Sequence, residues 1–207
     1  DLKDLGVQTE LLPEGLMSLY KAGRITGAKK GADTGKMTSS FILGSRELFD
    51  FVHDCPDVLM CSASYTHDPY VIAKNDNFRS VNACLEIDLL GQICSESVGF
   101  HTITGTGGQL DFVLGAQLSK GGKTIICTPS TYKRKDGRVV SRIVGSVAPG
   151  NTVTVPRSCA QYVTTEYGIV NLRGKTVWQR AEALIGLAHP DFRDDLVRQA
   201  KELKLLR

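Results

Sequence analysis

Ser80-Val81-Asn82-Ala83-Cys84-Leu85-Glu86-Ile87-Asp88-Leu89-Leu90-Gly91-Gln92-Ile93-Cys94-Ser95-Glu96-Ser97 is the most regular stretch of this chain. Val81, Ala83, Leu85, Ile87 and Leu89 recur at every second position, which puts them on one face of an extended strand because successive side chains point to opposite sides. Leu90-Gly91 then turns the chain into a second strand over Gln92–Val98, so the segment reads as a hairpin. Glu86 and Asp88 fall on the opposite, polar face and read as outward-pointing side chains.

On either side of this hairpin, strand-like and helix-like segments alternate. Downstream lie strands near 123–127, 139–144 and 162–165, then helices near 176–187 and 190–205, the last with Leu196, Ala200, Leu203 and Leu206 at helical spacing. Upstream, Pro13 with Leu16, Leu19 and Tyr20, closed by Gly23, predicts a helix with proline near its start and glycine at its end. A β-prone run over 39–43 leads to Ser45, which opens a helix carrying Leu48, Phe49 and Val52. Val58-Leu59-Met60-Cys61 reads as a buried strand, and Asp68-Pro69 begins a short helix with Val71 and Ile72. Such interleaving favours an α/β fold with a mixed sheet and flanking helices.

The 207 residues, 42% hydrophobic and 23% charged, suit one large or two small globular domains. Twenty-five basic and 22 acidic residues nearly cancel to +3, and the cluster Lys133-Arg134-Lys135 runs into Asp136-Gly137 as a solvated hairpin tip, so nothing argues for nucleic acid. Six cysteines without a C-x-x-C pair or framework fit a reducing compartment, read as the cytoplasm. No charged-then-apolar leader and no apolar run of about 18 residues argues for a membrane. The chain opens on Asp1 without an initiator methionine, which reads as a piece of a longer protein.

Gly105-Thr106-Gly107-Gly108-Gln109 places three glycines in four residues between a strand and an apolar, helical segment. It is either a tight turn or a loop whose exposed N–H groups accept a phosphate or oxyanion. It matches neither a Walker A loop nor the G-x-G-x-x-G of dinucleotide folds. Lys120, beside Gly121-Gly122, marks either an exposed turn or a phosphate-reaching lysine. Among the carboxylates, Glu10 and Glu166 break no strand alternation, and spacing alone does not choose between them. Cys94, seven residues before His101, invites a thiolate reading, but the six cysteines sit beside apolar residues and read as buried inert thiols. The four histidines follow no metal-ligand spacing.

Taken together, the motifs Leu5-Gly6-Val7-Gln8-Thr9-Glu10, His67-Asp68-Pro69, Asn82 to Gln92, Gly105 to Phe112, Thr165-Glu166-Tyr167-Gly168, Leu172-Arg173-Gly174 and Ala188-His189-Pro190 resemble, in order, the acetyl-CoA hydrolase/transferase family, and within it the 4-hydroxybutyrate and butyrate CoA-transferase branch. The resemblance runs nearly end to end. It implies the CoA-transferase type of α/β fold and places residues 1–207 as one C-terminal catalytic domain, with a similar N-terminal half to complete the cleft. It implies a catalytic set of Glu10 as nucleophile, Gly108 as oxyanion-hole N–H donor and Glu166 in support. His67 joins that set as a departure, since relatives usually carry Asn there. Gly105, Gly107, Gln109 and Lys120 are the CoA-binding candidates.

The implied activity is exchange of CoA between a short acyl-CoA and a small carboxylic acid through a glutamyl-CoA thioester. It requires no metal and no resident cofactor, with coenzyme A as substrate, and the full-length protein is expected to be a homodimer. The alternatives are an acyl-CoA hydrolase and a CoA-binding or interaction domain inactive without its N-terminal half.

Overall fold

A computed structural model describes residues 2–206. The chain divides into two compact units. The first comprises residues up to Phe78 together with Leu114–Gly122; the second comprises Arg79–Val113 and everything from Lys123 onward.

The first unit is built on three parallel strands in the order β1-β2-β3, where β1 is Val7–Leu12, β2 Met37–Ile42 and β3 Val58–Met60. Parallel neighbours need long crossovers. These carry helices α1 (Glu14–Lys21) and α2 (Arg46–Val52). The proline-to-glycine reading of α1 is met: Pro13 is its N-cap, and Gly23, at φ +68°, follows its end. Ser45 caps α2 as expected, its hydroxyl accepting the Leu48 N–H. Val7, Leu12, Met17, Ile25, Met37 and Leu48 form the core between these layers. Two short helices follow: α3 (Ala63–Thr66) and α4 (Pro69–Ala73), the latter capped by the Asp68 carboxylate on Tyr70 N–H. The segment 58–61 is less buried than its apolar letters suggest, since Met60 is exposed on edge strand β3.

In the second unit, the segment Ser80–Ser97 divides differently from a single hairpin. Its first part is β4 (Arg79–Ala83); its second is β5 (Glu86–Asp88), which pairs antiparallel with β6 (Ile93–Cys94) around the expected Leu90-Gly91 turn, Gly91 lying at φ +89°. A small hairpin of β7 (Ser97–Val98) and β8 (His101–Thr102) precedes helix α5 (Gln109–Leu118), whose residues from Leu114 onward belong to the first unit. Next come β9 (Lys123–Cys127), β10 (Thr131–Lys133), β11 (Val139–Ser141), β12 (Ile143–Val144), β13 (Tyr162–Thr165) and β14 (Gly168–Asn171). Helices α6 (Val177–Leu187) and α7 (Pro190–Glu202) close the chain.

β4 belongs to a four-stranded mixed sheet, β14-β13-β9-β4, whereas β5 belongs to another, β12-β5-β6. The change of sheet after Ala83 breaks the alternation: Val81 and Ala83 face solvent, while Cys84, Ile87 and Leu89 are buried. The two acidic residues are not outward-pointing as expected. Asp88 is fully buried and accepts from Leu90 N (3.0 Å), Gln92 N (2.9 Å) and Gln92 Nε2 (2.7 Å), so it fixes the turn from within. Half-buried Glu86 accepts from Asn151 Nδ2, and burial pushes its carboxyl above the usual range. The segment 139–144 likewise splits, β11 pairing with β10 around the basic tip and β12 joining β5.

Both closing helices are where periodicity puts them. Thr176 and Gln179 make a reciprocal capping box on α6. α7 stops at Glu202 because Lys204 turns left-handed (φ +57°) and Leu205 N–H returns to the Ala200 carbonyl, which leaves Leu203 exposed rather than packed. Leu184, Leu187, Leu196 and Ala200 pack with Ile87, Ile93, Ile126, Ile143 and Val163 in the core of this unit. No helix among the described residues is long and apolar enough to cross a membrane.

Candidate active site

Glu10 sits near the carboxyl end of β1, the end of a parallel strand at which α/β folds place ligands. The strand is anchored at its other end by Lys30, a buried side chain whose Nζ donates to the Val7 carbonyl (2.8 Å), the Lys36 carbonyl (2.8 Å) and Thr38 Oγ1 (2.9 Å). Burial pulls its ammonium down to about 8, with Asp33 opposing the shift. Near Glu10 itself, Ser39 Oγ donates to the Glu10 carbonyl at 3.0 Å, tying β1 to β2 through a side chain as well as the ladder.

His67 follows α3 as its C-cap, and its Nε2 lies 3.8 Å from Glu10 Oε2. The two side chains are 15% and 34% exposed, so the carboxylate is reachable while the imidazole is largely covered. The fold thus brings together two of the four expected catalytic residues, which lie far apart in the sequence.

In the second unit, Gly105 and Gly107 are exposed and Gly108 is buried at the start of α5, its carbonyl accepting Phe112 N–H at 2.9 Å. Gly108 thus stands immediately before Gln109, the first residue of α5. A Cβ at Gly105 would meet no heavy atom within 4 Å, and its φ lies outside the left-handed region. Neither packing nor backbone strain therefore demands glycine there. Gln109 Nε2 donates to the Ala83 carbonyl (3.0 Å), and Thr106 Oγ1 to Glu96 Oε2 (2.9 Å), which pins both ends of the loop. Lys120, which belongs to the first unit, is exposed; its carbonyl accepts Asn77 N–H at 2.7 Å.

Glu166 lies in the tight turn between β13 and β14 and is exposed. Its carboxylate is gripped by one residue on both oxygens: Ser130 Oγ–H donates to Oε1 at 2.5 Å and Ser130 N–H to Oε2 at 2.9 Å. The Ser130 hydroxyl, then its amide, and more weakly the nearby His189, hold the Glu166 carboxyl below its ordinary value. Ser130 carries no sequence signal, since one serine after a proline leaves no periodic trace, and Ala188-His189-Pro190 is legible in the sequence only as a motif. His189 caps α7 and stacks edge-on against Tyr167, with ring centroids 5.7 Å apart.

Replacing Ser130 by Ala removes the hydroxyl donor and keeps the amide. The Glu166 midpoint should rise toward the ordinary 4.5. Because the folded value lies below the unfolded one, Glu166 contributes stability above the ordinary carboxylate pKa and loses it as pH falls through the folded value; the variant narrows that window. A side-chain carboxyl ¹³C titration of wild type and Ser130→Ala reads the midpoint directly, and coincident curves would remove the hydroxyl as its cause.

Of the six thiols expected to be buried, Cys84 and Cys94 are, whereas Cys55, Cys61, Cys127 and Cys159 are partly exposed. Burial pushes Cys84 and Cys94 up to about 12 and raises Cys61 and Cys127.

Residues 44–200 match the acetyl-CoA hydrolase/transferase C-terminal domain. A protein of Syntrophomonas wolfei named probable butyrate:acetyl-CoA coenzyme A-transferase is 50% identical over 207 residues, which is 100% of this chain and 46% of that protein. Two solved structures are similar: RipA from Yersinia pestis, at TM-score 0.91 and 43% identity over 100% of this chain and 46% of that one, and a 4-hydroxybutyrate CoA-transferase from Porphyromonas gingivalis, at TM-score 0.78 and 40% identity over 97% and 46%. The chain therefore spans about half the length of the curated relatives it matches. The domain match begins after Glu10 and His67 lies inside it, while the full-length alignment takes in both.

Proposed function

This chain belongs to the acetyl-CoA hydrolase/transferase family, and we propose that it carries the nucleophile of an acyl-CoA:carboxylate CoA-transferase. The substrates on this reading are a short acyl-CoA (4-hydroxybutyryl-, butyryl- or acetyl-CoA) and a small acid such as acetate. The observation that carries it is a partly exposed carboxylate, Glu10, at the carboxyl end of a parallel strand and 3.8 Å from a largely covered imidazole. The relatives named as CoA-transferases support the reaction class.

The chemistry follows from what a carboxylate can do. A Glu10 oxygen attacks the thioester carbonyl, the carbon–sulfur bond breaks, and an acyl-glutamyl anhydride and CoA thiolate result. The thiolate then attacks the glutamyl carbonyl, expelling the first acid as its carboxylate and leaving a glutamyl-CoA thioester. The incoming acid repeats both steps in reverse, so the kinetics are ping-pong. Each addition passes through a tetrahedral oxyanion, for which the Gly108 N–H is the proposed donor. Glu166, held anionic by Ser130, supports the site, and Gly105, Gly107, Gln109 and Lys120 are assigned to CoA. The cytoplasm, where the six free cysteines would stay reduced, and a homodimeric full-length protein complete the reading.

The test is mass spectrometry of the full-length protein after incubation with acyl-CoA and reduction by borohydride, which consumes a thioester and spares a free carboxylate. Label on Glu10 is the expected result. CoA release without an acceptor acid would make the protein a hydrolase. A protein that binds CoA without forming a covalent adduct would fit the binding-domain alternative.

A further inference from the structure

A buried glutamine two residues before Glu10, and the buried asparagine that holds it, have no part in the chemistry above. Gln8, 6% exposed, is two residues before Glu10 on β1 and so projects from the same face of the strand. Its Nε2 donates to the carbonyl of Thr66 at 3.0 Å. Thr66 is the last residue of α3, and His67 is the next residue in the chain. Gln8 therefore ties the strand that carries the carboxylate to the turn that carries the imidazole, one residue from the imidazole itself.

Gln8 is in turn held by Asn75, 7% exposed, whose Nδ2 donates to Gln8 Oε1 at 2.9 Å. Asn75 Oδ1 accepts from Gly31 N (3.2 Å) and Ala32 N (3.3 Å), and its carbonyl accepts Ser119 Oγ at 2.7 Å. Gly31 can lie this close because it has no Cβ: one there would stand 1.9 Å from the Lys74 carbonyl oxygen. Both amide oxygens and both amide nitrogens are thus engaged in a buried, directional relay. An apolar pair would fill the same volume. Only hydrogen bonds fix rotation and distance, and a carboxylate 3.8 Å from its neighbour is sensitive to both.

We infer that Gln8 and Asn75 are positioning residues that set His67 against Glu10. The inference rests on the proposed role of Glu10, and its test separates the two. In the full-length protein, Gln8→Met keeps length and volume and deletes both bonds. It should slow formation of the glutamyl-CoA thioester by about tenfold or more, as small displacements of reacting groups do, with KM for acyl-CoA little changed. In a His67→Ala background the same substitution should act within about twofold, since the pair it sets is gone. An equal loss in both backgrounds would mean that Gln8 is only a core peg, and would overturn the inference. Asn75→Ala, which leaves the Gln8–Thr66 bond without its buttress, should give a smaller loss with the same dependence on His67.

A crystal structure of full-length Gln8→Met decides the matter without any activity. Glu10 and His67 should move outside the ~4 Å reach of an ion pair; an undisturbed pair refutes the positioning role even if the variant is slow. Wild-type protein that takes no label on Glu10 would sink the function proposed above and leave this structural outcome readable. Failure of both variants to fold would assign the amides to stability and would equally overturn the inference.

Discussion

Glu10→Gln in the full-length protein should lose CoA exchange by a factor on the order of a thousand or more, the scale on which groups acting in covalent catalysis fail when removed. The amide keeps the size of the side chain and removes the anionic oxygen that must attack the thioester. Folding should hardly notice. Glu10 is about one-third exposed, and its contact with His67, at 3.8 Å, is too long for a strong hydrogen bond. Surface substitutions of this kind stay within about 0.5 kcal/mol, so a denaturant midpoint close to wild type should accompany the lost activity. The variant should also take no borohydride-dependent label. Full activity in Glu10→Gln, or a label on Glu86, Glu166 or a cysteine in wild type, would overturn both the nucleophile and the two-step mechanism built on it.

The second large effect is expected at Gly108. If its N–H stabilises the tetrahedral oxyanion, obstructing the approach with Gly108→Val should cost about 3–4 kcal/mol of transition-state stabilisation, a rate loss on the order of several hundredfold. The position is buried and opens α5, so some destabilisation must accompany the change, of about 1–2 kcal/mol. The prediction lies in the disproportion. Rate should fall far more than stability, and Gly108→Ala should fall between wild type and Val on both scales. Activity that declines only in step with the unfolding midpoint would reduce Gly108 to a turn residue that starts a helix. Gly105 is the internal control: a Cβ there meets nothing within 4 Å, so Gly105→Ala should leave stability unchanged, and any loss of acyl-CoA affinity reports a ligand approaching that side of the loop.

Local signals in the chain were sufficient for the elements whose causes are local. Ser45 before α2, Asp68-Pro69 before α4 and the turn at Leu90-Gly91 stand where short-range chemistry puts them. The basic tip between β10 and β11 and the periodic helices α6 and α7 do so too. The family was also legible, because its motifs are strings of adjacent residues read in order.

What local pattern could not supply was the identity of partners. Alternation in 80–89 reports an extended chain and says nothing of which sheet it joins; β4 and β5 separate into two sheets because their partners β9 and β12 arrive from later in the chain. The same limit hid the burial of Asp88, which became tolerable only when three N–H donors of its own turn closed around it. At the candidate site the division is sharper. Sequence selected Glu10, His67, Gly108 and Glu166 as residue types in motifs, and tertiary structure alone put His67 beside Glu10, Ser130 around Glu166 and the Gln8–Asn75 relay behind the pair. Hydrogen bonds between residues far apart in the chain leave no periodic trace, because nothing in the spacing of either partner reflects the crossovers that carry one to the other.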